Sequence, residues 1–203
     1  GVDMCGRYYV DDDTIRETER IVREVDRKMK KLKAGNVYPS GRAAVITGKT
    51  NGLRLEEMNL GFPRNQGSGL LINARAETVL ERKMFRENVR RRRCIISAKW
   101  FYEWDAEKNK VSFMRGEEPV LYMAGFYGCF QDEERFIILT TQANDSVRPV
   151  HHRMPVILEK NELESWMCLG TSQEEQRQDD VLKSILNKIP PMLKREQEYE
   201  QQS

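Results

Sequence analysis

The segments Val120-Leu121-Tyr122-Met123-Ala124-Gly125-Phe126 and Phe136-Ile137-Ile138-Leu139-Thr140-Thr141 set the architecture of this chain. Both are short, rich in β-branched and aromatic residues, and bounded by Gly, Pro or charged residues, which is a strand signature. Cys94 to Ala98, Ala43 to Thr47 and Leu70 to Asn73 read the same way. Ahead of them the period changes. Ile15, Ile21, Val22, Val25, Met29 and Leu32 recur at helical spacing and predict an amphipathic helix from Asp13 to Lys33. Asp12 or Asp13 would cap it, Lys28 to Lys33 load its negative end, and Gly35 stops it. Three further helices are expected at Thr78 to Asn88, Lys160 to Cys168 and Asp179 to Lys188, the last ended by Pro190-Pro191. Strands interleaved with helices, without a βαβ rhythm, give one α+β domain with a largely antiparallel core. The Glu/Gln-rich stretch from Lys194 to Ser203 reads as a disordered polar tail.

Composition narrows the class. A chain of 203 residues holds one ordinary domain, and four scattered cysteines are too few for a disulfide-stapled scaffold. No apolar run approaches the roughly 20 residues of a spanning helix, and no N-terminal secretion pattern is present, so a cytoplasmic protein is expected. Cys94, Cys129 and Cys168 lie among apolar neighbours and read as buried structural thiols. Net charge is only +2, but Arg82, Lys83, Arg86 and Arg90 to Arg93 crowd one window. That window is either a solvated helical face or a basic patch for phosphates.

Four stretches can carry chemistry. His151 and His152 are the only histidines and follow a strand end, where an imidazole can act as acid, base or donor. Side chains of adjacent residues point apart on an extended chain, which argues against a shared metal, and no cysteine stands at a zinc spacing. No metal and no cofactor are expected. In Trp100-Phe101-Tyr102-Glu103-Trp104 a carboxylate stands among aromatics, a setting that raises its pKa toward general acid/base use. Asn73-Ala74-Arg75-Ala76-Glu77-Thr78 offers an amide and a guanidinium at a strand-to-helix junction, suited to a phosphate or an oxyanion.

The sharpest feature is Met4-Cys5-Gly6-Arg7-Tyr8. If Met4 is the natural start, its removal leaves Cys5 with an α-amine beside a thiol. Both groups are partly nucleophilic near neutrality. A 1,2-aminothiol captures an aldehyde as a five-membered thiazolidine, which is more durable than an imine. Gly1-Val2-Asp3 reads as a cloning remnant, and with it attached the Cys5 nitrogen is an amide that cannot react this way.

In order along the chain, the blocks Met4 to Tyr8, Asn36 to Pro39 with Val45-Ile46, Ile72 to Thr78, Arg92 to Ile96, Phe101 to Trp104, Ile138 to Asn144 and His151 to Val156 resemble the SOS-response-associated peptidase (SRAP) family. That family senses abasic sites in single-stranded DNA. The resemblance implies a domain over residues 4–193 with a barrel-like sheet and flanking helices. It implies catalytic roles for Cys5 as nucleophile, Asn73 as positioner, Glu103 as proton shuttle and His151 at the sugar hydroxyl. Arg7, Arg75 and Arg153 would clamp phosphates, and Trp104 would stack on a base. Leu60-Gly61-Phe62-Pro63 and Lys99-Trp100 depart from the family pattern, the former losing an aromatic near the DNA. The implied partner is single-stranded DNA with abasic sites, at the nucleoid when bound, and no membrane; whether a replication protein recruits the chain is left open by the sequence.

Two other readings stay open. Cys5, His151 and Asn73 would also make a cysteine peptidase that trims its own N-terminus, a hydrolase rather than a crosslinking or lyase activity. The basic window and exposed aromatics alone would make a non-catalytic single-stranded DNA module.

Overall fold

The computed structural model describes residues 6–22, 24–25, 33–49, 52–167 and 175–198. Along the chain run β1 (Tyr8–Val10), α1 (Asp12–Ile21), β2 (Glu24–Val25), β3 (Gly35–Val37), β4 (Arg42–Lys49) and β5 (Gly52–Leu60). Next come β6 (Phe62–Pro63), β7 (Leu70–Leu71), β8 (Asn73–Arg75), α2 (Lys83–Arg91), β9 (Arg93–Ala98), β10 (Trp100–Trp104) and β11 (Lys110–Met114). Then follow β12 (Leu121–Phe130), β13 (Glu133–Gln142), β14 (Arg153–Pro155) and β15 (Ile157–Leu158). A 3₁₀ turn at Lys160–Glu162 leads into α3 (Leu163–Met167), followed by α4 (Glu175–Leu186) and β16 (Lys194–Glu198).

The centre is a closed ring of five strands. β13 pairs with β12, β12 with β9, β9 with β4 and β4 with β5, all antiparallel. β5 then returns to β13 through the parallel pairs Asn59–Arg135 and Leu60–Phe136. The α+β class and the barrel-like, largely antiparallel core are therefore present.

Strand alternation sorts the side chains. Val45, Met58, Leu60, Ile96, Met123, Phe136 and Ile138 belong to one buried cluster. Ile46, Ile95, Phe126 and Ile137 belong to a second, with Val89 of α2, Trp166 of α3 and Leu182 and Ile185 of α4. The helices lie outside the ring, so the first cluster fills it. On this inner face a Cβ at Gly125 would stand 2.6 Å from the Ile137 carbonyl oxygen and 2.6 Å from Ile96 Cδ1. Only glycine fits there.

A second sheet, in the order β3-β1-β10-β11-β16, grows directly out of the ring, because only Lys99 separates β9 from β10. Tyr8, Phe101 and Phe113 from this sheet join the ring's inner cluster, with Phe101 and Phe113 stacked at 5.3 Å. One continuous core thus fixes both sheets relative to each other.

Several sequence expectations are corrected. The first helix is capped by Asp11, whose Oδ1 accepts from Thr14 N at 2.8 Å, and it ends at Ile21. The chain turns extended at Val22, and Glu24–Val25 pair in parallel with β5, as suits a β-branched cluster. Residues 26–32 of the expected helix lie outside the described residues. α2 starts at Lys83 rather than Thr78, after a turn in which the Thr78 carbonyl accepts from Glu81 and Arg82. The first half of the polar tail expected to be disordered, Lys194–Glu198, enters the second sheet as β16, pairing with β11 from Lys110–Glu198 to Met114–Lys194, and residues 199–203 lie outside the described residues. Backbone pairing orders that segment although its side chains are polar. Cys94 is buried as expected, but Cys129 is exposed near the end of β12, and Cys168 lies outside the described residues.

Candidate active site

Strand β1 is the element from which the site is built. It lies between β3 and β10, with Tyr8 opposite Phe101 and Tyr9 opposite Trp100. Tyr102 N donates to the Arg7 carbonyl at 3.0 Å, so the ladder continues toward the N-terminus, and its register places Gly6 across from Glu103. A Cβ at Gly6 would stand 3.6 Å from Ile72 Cδ1 and 3.7 Å from Pro39 Cγ. The residues that follow Cys5 are thereby held between the strand bearing Glu103 and the residue preceding Asn73. Cys5 itself lies outside the described residues.

Glu103 is 3% exposed. Its neighbours in sequence are aromatic, but alternation divides them between two faces. Phe101 shares its face and enters the core, whereas Trp100, Tyr102 and Trp104 occupy the other face of β10. There they form a row, with Trp100 stacked on Tyr9 at 4.5 Å, edge-on to Tyr102 at 6.3 Å, and Trp104 tilted to Tyr102 at 6.5 Å. Trp104 is exposed. The guanidinium of Arg7 extends the row, lying 4.5 Å from the ring centre of Tyr38 and 5.0 Å from that of Tyr102.

Asn73 stands on β8, paired in parallel with Ile138 of β13. Its Nδ2 donates to the Ile138 carbonyl at 3.4 Å, while its buried Oδ1 has no partner among the described residues. An unsatisfied buried amide oxygen is an acceptor waiting for a donor. Along β13, β5 gives way to β8 on one edge and β12 to β14 on the other, so residues 138–142 carry the site's two flanks.

Across those flanks runs a bidentate ion pair. Arg153 Nη1 meets Glu77 Oε1 at 2.7 Å and Nη2 meets Oε2 at 2.8 Å, and Nη2 also donates to the Thr140 carbonyl at 2.9 Å. Hydrogen bonding from Arg153 holds the Glu77 carboxyl below the usual carboxylate range, against a smaller opposing effect of burial. Arg153 is itself buried, so its guanidinium is engaged internally rather than presented to solvent. Arg75, by contrast, is exposed.

The backbone N–H of Arg153 donates to His151 Nδ1 at 3.1 Å. An accepting Nδ1 puts the proton of the neutral imidazole on Nε2, leaving that nitrogen as a donor. Burial pushes the His151 pKa down, with help from the neighbouring His152 and against the smaller opposing effect of the hydrogen bond from the Arg153 backbone. The two imidazoles do not point apart as expected. They stack at 4.4 Å with 27° between planes, because the chain at His151 is still leaving a turn in which its N–H bonds the Val147 carbonyl.

Of the predicted residues, Glu103 and Trp104 lie on β10 with Arg7 beside them just ahead of β1, while Asn73, Arg75, His151 and Arg153 gather around the far half of β13. Sequence reasoning missed Glu77 as an anchor and Tyr38 as an exposed aromatic beside the site. A carboxylate four residues past Asn73, and an aromatic directly before Pro39, were the available signals. The basic window lies apart. Arg90 pairs with Asp179, Arg91 with Glu87, and Arg93 is buried with its guanidinium on the Trp166, Val89 and Arg90 carbonyls. Among the described residues no three His, Cys, Asp or Glu side chains converge as a metal cluster.

Comparison with known proteins places this geometry in context. A family model described as SOS response associated peptidase (SRAP) matches residues 4–195. Abasic site processing protein YoaM of Bacillus subtilis is 29% identical over 200 residues, which is 90% of this chain and 85% of the relative. Abasic site processing protein YedK of Escherichia coli is 26% identical over 184 residues, covering 85% and 83%. An X-ray structure of a Bacteroides thetaiotaomicron protein matches with a TM-score of 0.74 at 25% identity, over 97% of this chain and 93% of that one.

Proposed function

The chain belongs to the SOS response associated peptidase family, and from that membership we propose that it processes abasic sites in single-stranded DNA by covalent capture on Cys5. The relatives' names supply the target class. The observation that carries the reading is the register of β1, which sets Gly6 across from Glu103 and against Ile72, the neighbour of Asn73.

The chemistry follows from the residue types. The Cys5 α-amine adds to the ring-opened deoxyribose aldehyde to give a carbinolamine. Glu103 protonates its hydroxyl, which leaves as water, and an iminium forms. The thiol gives its proton back to the Glu103 carboxylate and its sulfur adds to the iminium carbon. One C–N and one C–S bond form, one water leaves, and Glu103 is regenerated. The Asn73 Oδ1 is suited to accept from the attacking amine. His151, protonated on Nε2, is suited to donate to a sugar hydroxyl. Arg75 and the in-plane edge of Arg7 supply positive charge for phosphates, Arg153 orients His151, and Trp104 stacks on a base. Cys94 does not compete, because burial pushes its thiol far up.

The test mixes protein beginning at Cys5 with a single-stranded oligonucleotide carrying one abasic site, followed by a denaturing gel. A heat-stable shifted band that disappears in Cys5→Ala, and in protein with residues ahead of Cys5, is expected. A band in the blocked protein whose N-terminus remains intact by mass spectrometry overturns the amine route. No band in any lane overturns the capture reading.

A further inference from the structure

Tyr38 is 50% exposed, yet it is held from behind. One side of its ring faces the Arg7 guanidinium at 4.5 Å, and that guanidinium is in turn backed by Tyr102 at 5.0 Å. The turn that carries it is stitched to the ring of strands. Gly41 N donates to the Tyr38 carbonyl at 2.9 Å, Ser40 N to the Leu60 carbonyl at 2.8 Å, and Leu60 N to the Gly41 carbonyl at 2.9 Å. Ser40 sits at φ +63, and a Cβ at Gly41 would stand 2.9 Å from the Tyr38 oxygen, so the turn has little freedom to rearrange. An aromatic ring with one face supported, one face open and its orientation fixed is a stacking platform that loses little rotamer entropy on binding.

Its position gives the ligand. Pro39, the next residue, is the one that packs 3.7 Å from the Cβ position of Gly6, beside Cys5. Tyr38 and Trp104 are the two exposed ends of a single aromatic–guanidinium row that passes beside the N-terminal strand. A strand captured at Cys5 lacks one base, and the bases on either side of the gap lose a stacking neighbour. We propose that Tyr38 is a nucleobase-binding subsite, stacking on the base adjacent to the missing one on the side away from Trp104, with Arg7 as the residue that positions its ring. This rests on the abasic-site reading and adds to it a platform outside the capture chemistry.

The experiment uses single strands with a tetrahydrofuran abasic analogue, which has no aldehyde and cannot crosslink. 2-Aminopurine is placed immediately 5′ or 3′ to the gap. The full chain is expected to quench the probe in both positions. Tyr38→Ala is expected to restore fluorescence in one position only and to weaken binding by about 5- to 150-fold, the range of one base–aromatic stack. Tyr38→Phe keeps both readouts within about twofold. Unchanged quenching and affinity in Tyr38→Ala, with crosslinking to a true abasic site intact, overturns the subsite and leaves the capture reading standing. Failure of the unsubstituted protein to bind the analogue or crosslink overturns both.

Discussion

Arg153 grips Glu77 with both arms of its guanidinium, across strand β13, while its own backbone N–H holds His151 by Nδ1. Side chain and main chain of one residue thereby couple a carboxylate on one flank of the site to an imidazole on the other. Glu77→Gln removes one charge-assisted bond of a type worth about 1.5–3 kcal/mol in total effect. The single-turnover crosslinking rate is expected to fall by on the order of tenfold, with affinity for the tetrahydrofuran analogue changed less than about threefold. Equal losses in both would make Glu77 a binding residue instead.

The same pair and His151 give a pH signature. Both native pKa values lie below their ordinary ones, so each contributes stability that is present above the unfolded value and lost as pH falls. The melting temperature should therefore decline first below pH 6.5, from His151, and again below 4.5, from Glu77. Glu77→Gln should lessen the second decline, which Asp11 shares at lower pH, and leave the first, as followed by thermal melts from pH 8 to 3.

Glu103→Gln is isosteric and keeps the buried position filled, so it should slow crosslinking while leaving binding to abasic DNA nearly unchanged. Loss of binding itself would remove the proton-transfer role. Electrophoretic binding and crosslinking time courses on the same preparations separate the two.

Arg75 and Arg153 should behave differently, because only the first presents its guanidinium to solvent. Arg75→Ala, at an exposed position, is expected to lower the salt slope of single-strand binding by about 0.7. Arg153→Ala leaves Glu77 without its partner and should lower the melting temperature, with a smaller change in slope. Identical salt slopes for Arg75→Ala and the unsubstituted protein would exclude Arg75 from the phosphate contacts.

Gly125→Ala puts a methyl group where Ile96 and the Ile137 carbonyl already stand. Overpacking of this kind costs about 1–3 kcal/mol. Urea denaturation should show a lower midpoint with an unchanged slope, and an unaltered midpoint would mean that the ring interior has room to relax.

Four of the five apolar runs fall on the ring strands β4, β9, β12 and β13, which are buried on both faces and therefore read as continuous hydrophobic sequence, whereas Leu70 to Asn73 is divided between β7, half-buried, and β8. β5 carries no continuous apolar signal, for the opposite reason. Arg54, Glu56 and Glu57 interrupt its apolar residues, and their charges are met locally by pairs such as Arg42–Glu57 and the Thr47–Glu56 hydrogen bond. β16 carries no apolar signal, since its pairing with β11 is through backbone. At the site, Glu103, His151 and Asn73 were legible as residue types, but no local pattern announces that Glu77 reaches Arg153 from the opposite edge of a strand. Such a contact is set by topology. The split of the aromatics on β10 was available from period-two alternation alone, and Tyr38 required the turn geometry.

The ring closes at a seam of two residue pairs, Asn59–Arg135 and Leu60–Phe136, and its partners are distant in sequence. On a ribosome, β4 and β5 emerge first, with Val45, Met58 and Leu60 facing a space that nothing yet fills. They stay uncovered until Phe136 and Ile138 have left the exit tunnel, a long interval in which sticky inner faces meet solvent. A nascent chain stalled before β13 should therefore be a chaperone client, and release of β13 should be the step that ends its dependence.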